Sequence, residues 1–189
     1  MYVPENYDAN KQYPMMVSIA DASSVGTDTT APLNKNFGGA VWATDSEQAK
    51  HESFVIVPNY PEIIIDDNNG SNKTEYLDAT ARMIKNLSEK YSIDTNRIYG
   101  TGQSMGAMTT MYLASQNPDL YAAILVVDGQ WKTEELQGLT EVPFVYFAAA
   151  GDAKASAGQE EIKTMLSDKG IEYGELSDIK ASDSAASLD

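Results

Sequence analysis

The chain has no cysteine, a single histidine, and 13 lysines and arginines against 28 aspartates and glutamates. The missing thiols exclude disulfides, thiolate metal sites and cysteine nucleophiles, while leaving the compartment open. A formal charge of −15 works against any charge-driven contact with nucleic acid or an anionic membrane, so neither is expected as a partner. No apolar run approaches the roughly 18 residues of a membrane span. Met1-Tyr2-Val3-Pro4-Glu5 has neither the basic nor the apolar region of a signal peptide, so the chain as given is expected to be soluble, without its export signal. No phosphate-binding loop, dinucleotide fingerprint or zinc spacing is present, and no cofactor or metal is expected. What remains is 189 residues, 42% of them hydrophobic. That suffices for one domain with a sizeable core, and residues 1–189 are read as a single domain.

Along the chain, strand-like and helix-like stretches alternate. "YVP" and the apolar run at 15–19 read as strands, 27–39 as irregular, "SEQAKH" as a short helix and "SFVIVPNY" as a buried strand stopped by Pro58. Tyr76, Leu77, Thr80, Met83, Ile84 and Leu87 recur at three- and four-residue spacing, which predicts an amphipathic helix. "NRIYGTG", "YAAILVVDG" and "VPFVYFAAAGD" read as further strands. "MGAMTTMYLASQNP" and "GQEEIKTMLSDKG" read as helices, the second capped by Gly170, with a last strand near 171–176 and a polar tail. Strands apolar throughout, alternating with helices, predict a three-layer α/β domain with a mostly parallel sheet. In such sheets reactive groups gather at the carboxyl ends of the strands.

Gly102-Gln103-Ser104-Met105-Gly106 falls between a strand and a helix, the setting in which G-x-S-x-G forms a nucleophile elbow. Small residues on either side of the serine let strand and helix close around a sharp turn. Ser104 is thus a candidate nucleophile, and the Met105 backbone N–H a candidate oxyanion donor. Asp152, after a later apolar strand, is the candidate acid; a loop residue or a helix N-cap is the plainer reading of it. Asp128, at the end of "VVD", is an alternative acid. His51 precedes the strand "SFVIVP" and so belongs at the amino edge of the sheet, roughly 15 Å from the carboxyl edge, far beyond hydrogen-bond reach of Ser104. "DDNNGSN" puts Ile65 where a calcium loop needs its first aspartate, and reads as a solvated turn. Trp131 and Tyr60 are weighed as pocket walls or packing residues, and Met105, Met108 and Met111 as helix packing.

The segments "YPMMVSIADAS", "AKHESFVIVPNYP", "YSIDTNRIYGTGQSMGAM", "NPDLYAAILVVDGQW" and "AAAGDAKAS" together resemble the α/β-hydrolase esterases of the polyhydroxybutyrate-depolymerase and prolyl-oligopeptidase-like group. Feruloyl-esterase-like carboxylesterases belong to it. The block D-x-x-R-I-Y-x-x-G-x-S-M-G is the most specific part. The resemblance implies a serine esterase acting on small ester substrates, with Ser104 as nucleophile, Asp152 as acid, and Met105 plus a residue near Asp21 or Ala22 as oxyanion donors. It also suggests a secreted bacterial protein. Where the family shows His-Gly or His-Asp, this chain has Ala20-Asp21; where the family's histidine follows the last strand, it has Asp183-Ser184-Ala185-Ala186. The domain is therefore expected to be trimmed at both ends, to lack the triad histidine, to have impaired activity, and to expose a sheet edge through which copies can associate.

Overall fold

A computed structural model describes residues 1–35 and 37–174. Five strands form one parallel sheet in the order β2-β1-β5-β6-β7. They are β1 (Tyr13–Ile19), β2 (Phe54–Ile56), β5 (Ile93–Gln103), β6 (Ala123–Val127) and β7 (Phe144–Phe147). A short antiparallel pair, β3 (Ile65–Asp66) and β4 (Ser71–Asn72), turns through the polar "DNNG" stretch. The helices are α1 (Ala31–Asn34), α2 (Phe37–Ala40), α3 (Asp45–Lys50), α4 (Thr74–Lys90), α5 (Met105–Gln116) and α6 (Ala153–Asp168). This is the three-layer α/β-hydrolase architecture.

The layers follow from strand alternation. Met15, Val17 and Ile19 point to one face, where they join Leu77 and Ile84 of α4 and Met108 and Met111 of α5 in the core. Val17 pairs with Gly100, and a side chain at Gly100 would strike Thr110 of α5, so α5 packs directly on that face. Met16 and Tyr99, in register with each other, occupy the opposite face, where they share a cavity with Trp42, Glu47 and His51 from the segment around α3. At the amino end of β1 and β2, the rings of Tyr7, Tyr13, Phe54 and Tyr91 lie 5.5–6.3 Å apart, tilted or edge-on. Each such contact contributes about 0.5–1.5 kcal/mol beyond burial.

Several elements differ from the sequence reading. The stretch 27–39 is not wholly irregular: α1 and α2 form there, the first started by Pro32 in its opening turn, where a missing N–H costs nothing. "YVP" makes only an isolated bridge, Tyr2 with Val55. Helix α6 begins at Ala153, five residues ahead of "GQEEI", because Asp152 caps it. No strand forms over 171–174; the rest of the strand expected there, and the tail, lie outside the described residues. Among the described residues β7 pairs on one side only, and Val145 and Leu125 are exposed.

Gly106 fixes how near α5 comes to the sheet: a Cβ there would overlap the carbonyl of Ile19. Since backbone cannot give way as a side-chain tip can, Gly106→Ala should cost about 3 kcal/mol or more in urea unfolding. Gly151→Ala, which meets nothing within 4 Å, should stay within about 0.5 kcal/mol of the parent.

Candidate active site at the carboxyl edge of the sheet

Strand β5 ends at Gln103 and α5 begins at Met105, leaving Ser104 alone to make the turn. It does so at φ 53°, ψ −121°, a conformation that L-residues rarely adopt and that costs on the order of 1–3 kcal/mol. Three contacts hold it there. Ser104 N–H donates to Val127 O at 3.0 Å, and Met108 N–H donates to Ser104 O at 3.0 Å. A Cβ on Gly102 would run into the backbone of Gly106, so strand and helix meet with no room for a side chain. The Ser104 side chain is exposed and makes no hydrogen bond to any described residue.

Met105 is buried, and its N–H, at the start of α5, has no acceptor among the described residues. The first N–H groups of a helix are left unpaired by geometry and carry the positive end of its dipole. The loop after β1 lies beside this point. Asp21 Oδ1 accepts from Ser23 N–H at 2.7 Å and opens a short turn over Ala22–Ser24. Ala20, Asp21, Ser24 and Met105 line one small cleft, walled also by Asn59 and Tyr60. Ser24 Oγ and Asn59 Oδ1 are buried there without a hydrogen-bond partner among the described residues. Ala22 packs against the core rather than lining the cleft. Burial pushes the Tyr60 phenol up to about 12, against the opposing effect of its 2.9 Å hydrogen bond with Thr80 Oγ1.

The two candidate acids occupy adjacent loops. Asp152 Oδ1 accepts from Ala155 N–H at 2.9 Å, the bond of a helix N-cap. Asp128, at φ 47°, ends β6, and its Oδ1 accepts from Ala149 N–H at 2.5 Å, tying the β6 end to the loop after β7. Between them stands Tyr146, which sequence alone reads as a core residue of an apolar strand. Its hydroxyl lies 2.5 Å from Gly129 O and 3.0 Å from Ala155 O. Burial raises its pKa, and the charges of Asp128 and Asp152 raise it further.

A second tie joins segments far apart in sequence. Asp67 Oδ2 accepts from Gln130 Nε2 at 2.6 Å and from Lys154 Nζ at 2.7 Å; Lys154 also donates to Asn68 Oδ1 at 2.9 Å. The "DDNNG" turn is thereby fastened to the loop after β6 and to the first turn of α6. Gly129, next to Gln130, lies against Ser104 O, where a Cβ would come within 2.7 Å. Nothing local in the sequence signals these pairings. Trp131 is buried and donates through Nε1 to Glu135 at 2.9 Å, a packing role.

His51 lies at the other end of the sheet. It follows α3, is exposed, and lines a cavity with Met15, Ser53 and Arg97. Met15 pairs with Phe54 and Ile98, whereas Ile19 pairs with Gly102. The levels of His51 and Ser104 are thus separated by at least the strand from Met15 to Ile19, roughly 13 Å at ~3.3 Å per residue.

Two substitutions probe this geometry. Ser104→Gly should raise unfolding stability by roughly 1 kcal/mol, by relieving the positive φ. Asp152→Ala should lower it by about 1 kcal/mol while Asp152→Asn changes it little, because asparagine also caps helices; calorimetry of the three variants checks both.

Comparison with known proteins agrees with this architecture. The family model described as "Prolyl oligopeptidase family" matches residues 64–167, more than half of the chain, including Ser104 and Asp152. Acetylxylan esterase A of Aspergillus awamori is 27% identical over 139 residues, covering 68% of this chain and 41% of that protein. The crystal structure of a thermostable esterase superposes with a TM-score of 0.80 at 28% identity, over 90% of this chain and 47% of the other. A poly(3-hydroxybutyrate) depolymerase from Bordetella parapertussis, 15% identical with a TM-score of 0.61 over 92% of this chain and 73% of its own, shares the fold. The chain spans about two fifths of the curated relative and just under half of the thermostable esterase. It belongs to the prolyl oligopeptidase family, within the α/β-hydrolase esterase group.

Proposed function

We propose that this chain carries the nucleophile half of a serine carboxylesterase within a single hydrolase-like domain. The conformation of Ser104, exposed on a strained turn at the head of α5, is the observation that carries this reading. Ser104 Oγ attacks the carbonyl carbon of a small ester, and the developing oxyanion is met by the Met105 N–H and by an N–H of the loop near Ala22. The hydroxyl proton goes to a base; the alcohol leaves with a proton, and water then releases the acid from the acyl-serine. Asp152 orients that base, with Asp128 as the alternative. Using Asp152 in this way leaves its cap intact, since the cap engages one carboxylate oxygen.

Among the described residues no histidine stands near Ser104 to act as base. The chain's one histidine sits at the amino edge, and losing the triad base costs on the order of 10⁶ in turnover. Activity of this chain alone is accordingly assigned as severely impaired. The same observation supports a second reading, a hydrolase-fold protein that binds without turnover. Self-association, in either case, is assigned to the edge of β7 that no strand among the described residues covers.

Treatment with a fluorophosphonate probe separates the two. In the carboxylesterase reading, mass spectrometry finds slow phosphonylation of Ser104, accelerated by added imidazole as an external base, and none at that site in Ser104→Ala. Equal labelling of parent and variant in imidazole would leave only the binding protein.

A further inference from the structure

The cavity at the amino edge is independent of the candidate active site, at the opposite end of the sheet. It has a volume of about 290 Å³ and is lined by Met16, Arg97 and Tyr99 from the sheet, Trp42 and Glu47 from the overlying segment, and His51 and Ser53 between that segment and β2. The volume lies just below the roughly 300–1,000 Å³ of drug-sized sites, which suits a ligand of about one ring. Trp42, Tyr99 and Met16 are each half-buried, giving flat aromatic and thioether walls that remain open on one side.

Charge decides what kind of ring. Arg97 is already compensated, its Nε donating to Asp94 Oδ2 at 2.8 Å and its Nη2 to Gln12 O at 3.0 Å. Glu47 Oε1 is paired with Lys50 Nζ at 3.2 Å. An anion would meet Glu47 and a protein of charge −15; a cation would meet Arg97. What the pairs leave over is hydrogen-bonding capacity of both kinds, donor and acceptor, with no net excess of either charge. Arg97 Nη1 and the second oxygen of Glu47 make no hydrogen bond within the described residues, nor does the His51 imidazole. Ser53 Oγ accepts weakly from Gln48 at 3.3 Å and keeps its own proton. Donors and acceptors interleaved around an aromatic wall match a polyhydroxylated ring, whose C–H face lies on the aromatics while its hydroxyls both donate and accept.

We propose that this cavity is a binding site for a neutral saccharide ring, distinct from the candidate esterase site. The test is titration of the ¹⁵N-labelled chain with methyl β-D-glucopyranoside, with benzoate and tetramethylammonium as charged comparisons. The indole N–H of Trp42, assigned through Trp42→Phe, and the amides of Ser53 and Tyr99 should shift saturably with the glycoside. The Trp131 indole and the amides of Met105 and Gly129 should not. Trp42→Ala should weaken binding about tenfold, roughly the loss of one good ring contact. Glu47→Gln, an isosteric change that breaks only an exposed pair with Lys50 and serves as the second variant should Trp42→Ala not fold, should weaken it several-fold, and Ser104→Ala should leave it unchanged. No saturable shift, saturation only by a charged ligand, shifts centred on Met105, or glycoside binding insensitive to Glu47→Gln would each overturn the proposal. Loss of serine labelling would not bear on it.

Discussion

The close approach of α5 to the carboxyl ends of β1 and β5 is the constraint on which the rest of this structure depends. Gly106 lies against the Ile19 carbonyl, and Gly102 against the backbone of Gly106. With no side chain between them, the chain reverses from strand to helix in one residue, and that residue is driven to φ 53°. The strain is held by hydrogen bonds on both sides of Ser104, its N–H donating to Val127 O and its carbonyl accepting from Met108 N–H, and by helix packing that buries ten of the twelve residues of α5. An N–H with no acceptor among the described residues and an exposed hydroxyl at the same point are the outcome, the two groups that the proposed acyl transfer would use.

Around that point polar contacts stitch the loops of the carboxyl edge together. Tyr146 reaches Gly129 and Ala155, Asp128 reaches Ala149, and Asp67 gathers Gln130 and Lys154. Loops cannot bury enough apolar surface to order themselves, so hydrogen bonds to partly buried partners set their positions. The amino edge is built differently: a four-ring aromatic cluster anchors β1 and β2 there, and a cavity of mixed polarity opens beside them. The two ends of the sheet thus carry separate chemistries, and the histidine belongs to the end without the serine.

Much of this was legible in the sequence because it rests on local rules. Alternating apolar strands and helices gave the layer order, the spacing of Leu77, Thr80 and Ile84 marked the buried face of α4, and G-x-S-x-G between strand and helix marked the turn at Ser104. A histidine placed before a parallel strand has to sit at the amino edge, since every strand of such a sheet runs the same way. Composition alone removed thiol chemistry.

Tertiary structure decided what depends on partners distant along the chain. That Tyr146 reaches both Gly129 and Ala155, that the "DDNNG" turn is fastened to Gln130 and Lys154, 63 and 87 residues away, and that Trp131 bonds Glu135 could not be read from spacing. The same holds for the cavity beside His51, assembled from β1, β5 and the segment around α3. Local sequence determines backbone periodicity and turn geometry, whereas side-chain partnerships form only when packing brings remote segments within a few ångströms, which no short window of residues encodes.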